Sequence, residues 1–212
     1  MNAHSPRRRL PWAVASFVAA ALAAGCSQRL APVPTKPIEA YPSRGESHGI
    51  VVAAECYCTE GRERALFTNP HPSLVRGGVY PLQLVVRNDS GAEVVVSKLS
   101  VRLQWPAYAV APSGVAELRR GLRPGSLFGA IIVGPIGLFG RPAGHEDFLN
   151  ELAFRELKDG PLPHRGTTSG FLYFVPPRGT DLGGSQIVVA LGRAGGADEI
   201  VLALPIPPPS AN

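Results

Sequence analysis

An alternation of polar and apolar side chains within residues 93–105 constrains the fold more than any other feature of the sequence. From residue 95 onward, one set of alternate positions carries mainly apolar side chains: Ser97, Leu99, Val101, Leu103 and Trp105. The other set is polar: Lys98, Ser100, Arg102 and Gln104. A period of two with one polar face is typical of a half-buried antiparallel strand. We therefore expect a β protein whose core includes Trp105.

Other short apolar runs predict further strands. They lie between turn residues, and they occupy residues 49–57, 79–87, 170–175, 186–192 and 199–204. The chain has 24 Gly and 22 Pro in 212 residues, and only 17% of its residues are charged. Low charge combined with many turn-forming residues favours a β-rich fold over a helical bundle.

The turn at residues 88–91 predicts which strands pair. Its sequence, Asn-Asp-Ser-Gly, combines residues that tolerate the left-handed region with one that favours it. We expect residues 79–87 and 93–105 to form a hairpin around this turn. Pro81 lacks an N–H, so we expect the start of the first of these strands to lie at a sheet edge or a bulge.

The middle of the chain predicts two helices, at residues 114–122 and 145–158. The second helix has acidic residues in its first turn, an i,i+4 pair of Glu151 and Arg155, and Gly160 as a C-terminal cap. We expect its apolar stripe to be buried; the stripe consists of Phe148, Leu149, Leu152 and Leu157. We expect its carboxylates to be solvated; they are Glu146, Asp147, Glu151 and Glu156.

An uncharged, Gly-punctuated segment separates the two helices, at residues 127–140. Its 14 residues are too few to cross a bilayer as a helix, and Pro135 would break such a helix. We expect a buried crossover that includes Ile132. The alternative is an exposed apolar loop that contacts a membrane or a partner.

The N-terminus has the features of an export signal that ends in a lipid-attachment cysteine. Arginines at positions 7–9 form a basic region, residues 12–22 form an apolar region, and small residues lead to Cys26. The apolar run is shorter than the ~18–20 residues of a membrane span, which favours a cleaved signal peptide. The Ala-Gly-Cys26 end resembles the bacterial lipobox, which implies cleavage before Cys26 and a diacylglycerol on its thiol. The alternative is an ordinary signal peptide that ends near a cysteine.

The leader and two Pro-rich stretches define the domain organisation. We expect a signal peptide at 1–25, a lipidated cysteine with a Pro-rich tether at 26–47, and a β-sandwich at 48–205. The sandwich carries an insertion at about 113–165, and a Pro-rich tail follows at 206–212. Loss of the leader arginines lowers the formal charge from +5 to +2, which is too small to indicate nucleic-acid binding.

Two strand-and-turn segments carry a resemblance to a known class of protein. Residues 85–90 form an apolar strand that ends in Asn-x-Ser, and residues 170–176 form a strand after a glycine. These segments resemble bacterial envelope lipoproteins with an immunoglobulin-like domain, a family of unknown function. The resemblance implies an immunoglobulin-like antiparallel β-sandwich with a helical crossover insertion. It implies no catalytic residues.

The pair Cys56 and Cys58 is the strongest candidate for chemistry. Two residues of spacing on a strand put both thiols on one face, and an exported protein meets an oxidising compartment, so a local disulfide is one interpretation. Reduced structural cysteines are a second interpretation. The third is a soft-metal site, which His48 and His71 could complete, although neither shows a ligand spacing. We assign no metal or cofactor.

We expect a lipid-anchored envelope protein that acts as a non-catalytic binding or assembly module. Its partners would be the membrane, through the lipid on Cys26, and an envelope protein. Ser27 after the cysteine is typical of outer-membrane sorting in enteric-type bacteria, with the inner membrane as the alternative. The alternative function is a periplasmic metal-binding or thiol-redox protein that uses Cys56 and Cys58. No nucleophile elbow or phosphate-binding loop supports an enzyme.

Overall fold

The computed structural model describes residues 35–67, 73–121, 145–193 and 199–207. The strands in these ranges are β1 (Ser43–Ser47), β2 (Ile50–Cys56), β3 (Tyr80–Asn88), β4 (Val94–Val96), β5 (Val101–Gln104), β6 (Ala109–Val110), β7 (Gly160–Leu162), β8 (Thr167–Phe174), β9 (Gln186–Arg193) and β10 (Glu199–Pro205). The helices are α1 (Glu60–Arg64), α2 (Val115–Gly121) and α3 (His145–Arg155), with 3-10 turns at Ile38–Ala40 and Lys98–Ser100.

These strands form two antiparallel sheets. The first sheet has the order β1-β2-β3-β8. In the second sheet, β9 pairs with β10 along one edge and with β5 and β4 along the other, while β6 extends β5 and β7 extends β4. The chain is therefore mainly β with a few helices, as the sequence predicts.

The main apolar core lies between the inner faces of the two sheets. Alternate residues of each strand supply it, because successive side chains of a strand point to opposite faces. The first sheet contributes Ile50, Val52, Ala54, Leu82, Leu84, Val86, Leu172 and Phe174. The second contributes Val94, Val96, Val101, Leu103, Ile187, Val189, Leu191, Ile200, Leu202 and Leu204.

The outer face of the first sheet is also covered. Near β8, the helices α2 and α3 pack on Phe171 and Tyr173, and α3 does so through Phe148, Leu149 and Leu152 of the predicted stripe. The fourth predicted member, Leu157, follows the end of α3 and joins the main core instead. Gly170 lets the chain after α3 lie directly on β8, since a Cβ there would collide with the Leu157 backbone. Near β2, Ile38 and Tyr41 pack on a separate cluster made up of Val51, Ala53 and Val85.

The predicted hairpin is wrong. β3 and β4 lie in different sheets, so residues 88–91 carry the chain from one sheet to the other. The 3-10 turn at Lys98–Ser100 also interrupts the predicted strand and shifts its phase. Val94 and Val96 are buried before the turn, whereas Leu99 is 75% exposed. The predicted alternation holds only from Val101 to Trp105.

The prediction for Pro81 is also wrong, because β3 is an inner strand that pairs with both β2 and β8. The proline is tolerated because it stands beyond the last β2 pair, Cys56 with Leu82. The Pro81 carbonyl accepts a hydrogen bond from the Tyr57 N–H at 2.9 Å. Since the N–H and C=O of a strand residue point the same way, the missing donor of Pro81 faces the end of β2.

The predicted domain boundaries need correction at both ends of the sandwich. Residues 35–47 of the predicted tether fold onto the domain: Tyr41 is buried, and β1 pairs with β2. Ile206 of the predicted tail joins the core, and its N–H donates to the Ser185 carbonyl. The predicted insertion at 113–165 is not separate from the sandwich, because its strand β7 pairs with β4 in the second sheet.

Two details of α3 differ from the prediction. The helix ends at Arg155, and Gly160 belongs to β7 rather than to a helix cap. Glu151 is fully buried rather than solvated, because it pairs with Arg155 at 2.8 Å beneath the helix. The segment at 127–140, with Ile132, lies outside the described residues.

Candidate binding cleft at the end of β2

A cleft of about 440 Å³ opens at the end of the sandwich where β2 stops. Four parts of the chain meet there: the segment before β1, the region from β2 to α1, the loop between β8 and β9, and the residues after β10. Its lining combines charged, polar and apolar side chains from Lys36, Ala40, Pro42, Glu55, Cys56, Cys58, Thr59, Arg62, Leu182, Ile206 and Pro207.

Glu55 is the carboxylate at the centre of this cleft. It occupies an outward-facing position of β2, opposite Gln83 of β3, and it is only 8% exposed. Lys36 approaches one carboxylate oxygen at 2.7 Å, and Arg62 forms an ion pair with the other. A carboxylate at this depth requires such partners, because an unpaired buried charge is costly. Glu55 thereby ties the segment before β1 to helix α1.

Arg62 connects α1 to the end of β2. Its guanidinium donates to the Cys56 carbonyl at 3.0 Å and lies over the Tyr57 ring, 5.1 Å from the ring centre. The helix itself is anchored by Glu63, which is fully buried. The Glu63 carboxylate accepts hydrogen bonds from Ser73 Oγ and from the backbone N–H groups of Leu74 and Val75. This carboxylate therefore holds helix α1, which carries Arg62, against residues 73–75.

Tyr57 stands between the two cysteines in the chain, and its side chain packs against the apolar cluster between β8 and the helices α2 and α3. Its ring packs edge-on against Phe171, with the ring centres 5.6 Å apart. Its hydroxyl lies 3.3 Å from Gln83 Oε1 and 3.5 Å from Glu55 Oε2. Burial, assisted by the Glu55 charge, raises the pKa of Tyr57 to about 12. The phenol therefore stays protonated at neutral pH and donates to these acceptors.

Cys56 and Cys58 lie at the border between the cleft and the core. Both are partly exposed, and both pack against the main core cluster. Their Cα atoms are 5.2 Å apart and their sulfur atoms are in contact. A Cα separation of this size falls within the usual range for a disulfide.

Of the two histidines that could complete a metal site with this pair, the structure describes only His48, which does not approach it. His48 precedes β2, so the length of that strand separates it from Cys56, and His71 lies outside the described residues. Within the residues that the structure describes, no group of three or more His, Cys, Asp or Glu side chains could hold a metal ion. Cys26 also lies outside them.

The other residues of the cleft escape sequence-based prediction. Lys36 stands in a Pro-rich stretch that is typical of a spacer, and Arg62 stands in a polar stretch whose sequence is typical of a loop. Glu55 carries the one usable signal, since it is a single carboxylate at the end of the apolar run of β2. A charge in such a run is expected to have a buried partner.

The cleft can accommodate a small ligand or the tip of a partner protein. Its volume falls in the usual range of ligand pockets, roughly 300–1,000 Å³. Two cations and one carboxylate leave a net positive wall, which faces the apolar side chains of Leu182 and Ile206. This combination suits a ligand that carries an anionic group beside an apolar group.

Comparison with known proteins leaves the family open. The chain matches no protein-family model and no curated protein. Among solved structures it is similar to a provisionally assigned lipoprotein of Bacillus subtilis, with 10% identity and a TM-score of 0.37 over 76% of this chain and 37% of that one. It is also similar to a protein of unknown function from Listeria monocytogenes, with 13% identity and a TM-score of 0.36 over 78% of this chain and 82% of that one.

The chain spans little more than a third of the Bacillus subtilis protein. Likenesses with these TM-scores identify neither a family nor a function. No helix within the described ranges has the length and apolar character needed to cross a membrane.

Proposed function

We propose that this protein is a lipid-anchored envelope protein and acts as a non-catalytic binding or assembly module. The observation that carries the proposal is the cleft around Glu55, where cations and apolar side chains converge at one end of the sandwich. Its contact partner would be an envelope protein that presents an anionic group and an apolar group.

The anchor of this proposal is Cys26, with the outer membrane as the expected location and the inner membrane as the alternative. Eight residues separate Cys26 from residue 35, where the described part of the chain begins. The nine Cα–Cα steps between them span at most about 32 Å when the chain is fully extended. Because residues 35–47 are folded onto the domain, the tether that remains is much shorter than the sequence predicts. The partner would therefore be met close to the membrane.

The finer fold assignment that we propose is an immunoglobulin-like sandwich. In immunoglobulin domains, strands A, B and E share one sheet and strands C, F and G share the other. In the first sheet, the order β2-β3-β8 corresponds to A-B-E. In the second sheet, β4 and β5 together correspond to C, β9 corresponds to F, and β10 corresponds to G. The segment from β6 to β7 replaces strand D. Trp105, at the end of the C-like strand, supports the correspondence.

Substitution of Cys26 by serine tests the anchor. Cells that express the native chain should yield protein that partitions into the detergent phase, and the Cys26→Ser protein should move entirely to the aqueous phase. The reason is that the thiol is the attachment point of the acyl chains, whose burial drives membrane binding. Phase partition followed by immunoblotting measures this. If the variant stayed in the detergent phase as fully as the parent, the lipoprotein assignment would be wrong.

Site-specific photo-crosslinking tests the cleft. A benzophenone amino acid is placed at Thr59, which lines the cleft, or at Glu117, which is exposed on α2 and serves as the matched control. Irradiation of intact cells should give a discrete adduct from position 59 and none from position 117. In the Lys36→Glu variant, the position 59 adduct should fall several-fold, because the positive wall is lost. Equal adducts at both positions, or none at either, would contradict a binding role for the cleft.

A further inference from the structure

The bond between Cys56 and Cys58 would contribute little to the stability of the fold. Cross-linking stabilises a protein mainly by restricting its unfolded chain, and the effect grows with the length of the closed loop. Here the loop contains a single intervening residue, Tyr57. The pair also lies partly exposed in a cleft, whereas a purely structural disulfide gains nothing from access to solvent.

The backbone around the pair is held without the sulfur bond. Cys56 pairs with Leu82 at the last position of the ladder between β2 and β3. The Tyr57 N–H then donates to the Pro81 carbonyl at 2.9 Å, and its ring is fixed between Phe171 and the Arg62 guanidinium. The dithiol and disulfide forms can therefore share one fold, which reversible chemistry requires.

The cleft that the pair lines also carries positive charge. The charged groups that line this cleft with the pair are two cations, Lys36 and Arg62, and the Glu55 carboxylate that they contact. The protonated Tyr57 phenol hydrogen-bonds to Glu55. The Arg62 guanidinium contacts the Cys56 backbone, with a nitrogen 3.0 Å from its carbonyl oxygen. Nearby cations stabilise the thiolate, which is the attacking and leaving form in disulfide exchange.

We propose that Cys56 and Cys58 form a thiol–disulfide exchange site whose substrates are thiols that enter the cleft. A substrate thiolate attacks one sulfur of the pair, a mixed disulfide forms, and the other cysteine leaves as a thiolate. A second substrate thiolate then attacks the substrate sulfur of this mixed disulfide, the protein cysteine leaves as a thiolate, and the two substrates depart joined as a disulfide. The two substrate thiols lose two electrons as they form a disulfide, and the cysteine pair gains these electrons and becomes the dithiol. The two protons that the substrate thiols release protonate the two cysteines.

This site uses the same cleft as the proposed function and therefore depends on access to it. It does not depend on the lipid anchor or on the identity of the envelope partner. The substrate class is low-molecular-weight thiols or a cysteine on the partner, and glutathione serves as the probe for both.

The test uses the full chain, processed by its own host and purified in detergent. The native protein is equilibrated in buffers of reduced and oxidised glutathione, and its free thiols are counted by the gel shift of a maleimide polymer. We expect a reversible transition between zero and two thiols, with an unchanged far-UV circular dichroism spectrum. The Cys56→Ser and Cys58→Ser variants should each retain one glutathione, detected by intact mass. The double variant should retain none.

Three outcomes would overturn the inference. The first is a disulfide that glutathione reduces only after the protein is denatured, which is the behaviour of a structural disulfide. The second is a pair that stays reduced in oxidised glutathione, and the third is a purified protein whose thiols are masked by a retained metal. If exchange failed while the crosslink at position 59 persisted, only this inference would fall and the proposed function would stand.

The contribution of Arg62 provides a second readout. In the Cys58→Ser background, the Cys56 thiol is reacted with an aromatic disulfide that releases a coloured thiolate. Arg62→Gln should slow this reaction about threefold at neutral pH, because a lower thiolate fraction outweighs the higher intrinsic nucleophilicity of the thiolate that remains. Arg76→Gln is the matched control, since Arg76 pairs with Glu60 on the exposed side of α1. Equal rates in the two variants would remove Arg62 from the mechanism.

Discussion

Replacement of Trp105 by alanine is expected to lower the free energy of unfolding by ~3–5 kcal/mol, the usual cost of emptying a large aromatic site. Trp105 is 8% exposed at the end of β5. Its indole N–H donates to the Asp181 carbonyl at 2.9 Å, and its ring stacks on Tyr108 with the ring centres 4.7 Å apart. The side chain therefore fastens the loop before β9 to the end of the core.

Urea unfolding of the native chain and the variant, followed by far-UV circular dichroism, measures this change. Fluorescence is unsuitable because the other tryptophan, Trp12, lies in the predicted leader. Val201→Ala is the control, since Val201 is 56% exposed on the outer face of the second sheet and should change the free energy by less than about 0.5 kcal/mol. A loss below about 1 kcal/mol for Trp105→Ala would place the indole in solvent and contradict the register of β5.

Local patterns predict the strands of this protein better than they predict the pairing of those strands. The runs at 49–57, 170–175, 186–192 and 199–204 each correspond to an observed strand, because the apolar side chains that a strand buries can be identified from the sequence. The strand with which each of them pairs cannot be identified in this way. The turn after Asn88 is compatible with a hairpin or with a crossing between sheets. Only the packing of the other core strands decides in favour of the crossing.

The phase error at Leu99 has a local cause. Ser97 accepts a hydrogen bond from the Leu99 N–H through its side chain, and this contact caps the 3-10 turn. Such a turn moves the buried positions from even to odd numbers. A serine in an alternating pattern can favour such a turn over a continuous strand, since its hydroxyl competes with the strand for hydrogen bonds to backbone groups.

The candidate site is only partly visible in the sequence. Cys56 and Cys58 stand out because their spacing and compartment have chemical meaning. Lys36 and Arg62 do not, because each belongs to a polar or Pro-rich stretch that sequence rules assign to solvent. They acquire a role only when the fold brings them to Glu55 from opposite directions.

The ion pair of Glu151 and Arg155 shows the same limit. The i,i+4 spacing predicts the contact, which the structure confirms at 2.8 Å. The spacing gives no indication that both partners are buried, and sequence rules place Glu151 on a solvated face. The difference matters energetically, because an exposed pair of this kind contributes only a few tenths of a kcal/mol whereas a broken buried pair costs several.

Substitution of Glu151 by alanine is therefore expected to lower the free energy of unfolding by ~3–5 kcal/mol. The Arg155 guanidinium is 3% exposed, and it lies over the Phe67 ring, 5.6 Å from the ring centre. Arginine stays protonated in proteins, so it cannot escape by losing its charge. Removal of the carboxylate leaves that cation buried between α3 and the loop that follows α1. Urea unfolding of the full chain measures the change.

The double substitution Glu151→Leu with Arg155→Met separates this cause from a general loss of packing. Both replacements are apolar and of similar volume, and such exchanges of a buried pair are often neutral or stabilising. We expect the double variant to recover most of the stability that Glu151→Ala loses. If the double variant were as unstable as the single one, the loss would come from cavities rather than from the uncompensated charge. If Glu151→Ala cost less than about 1 kcal/mol, water would reach the guanidinium, and the packing of α3 on Phe67 would be looser than described.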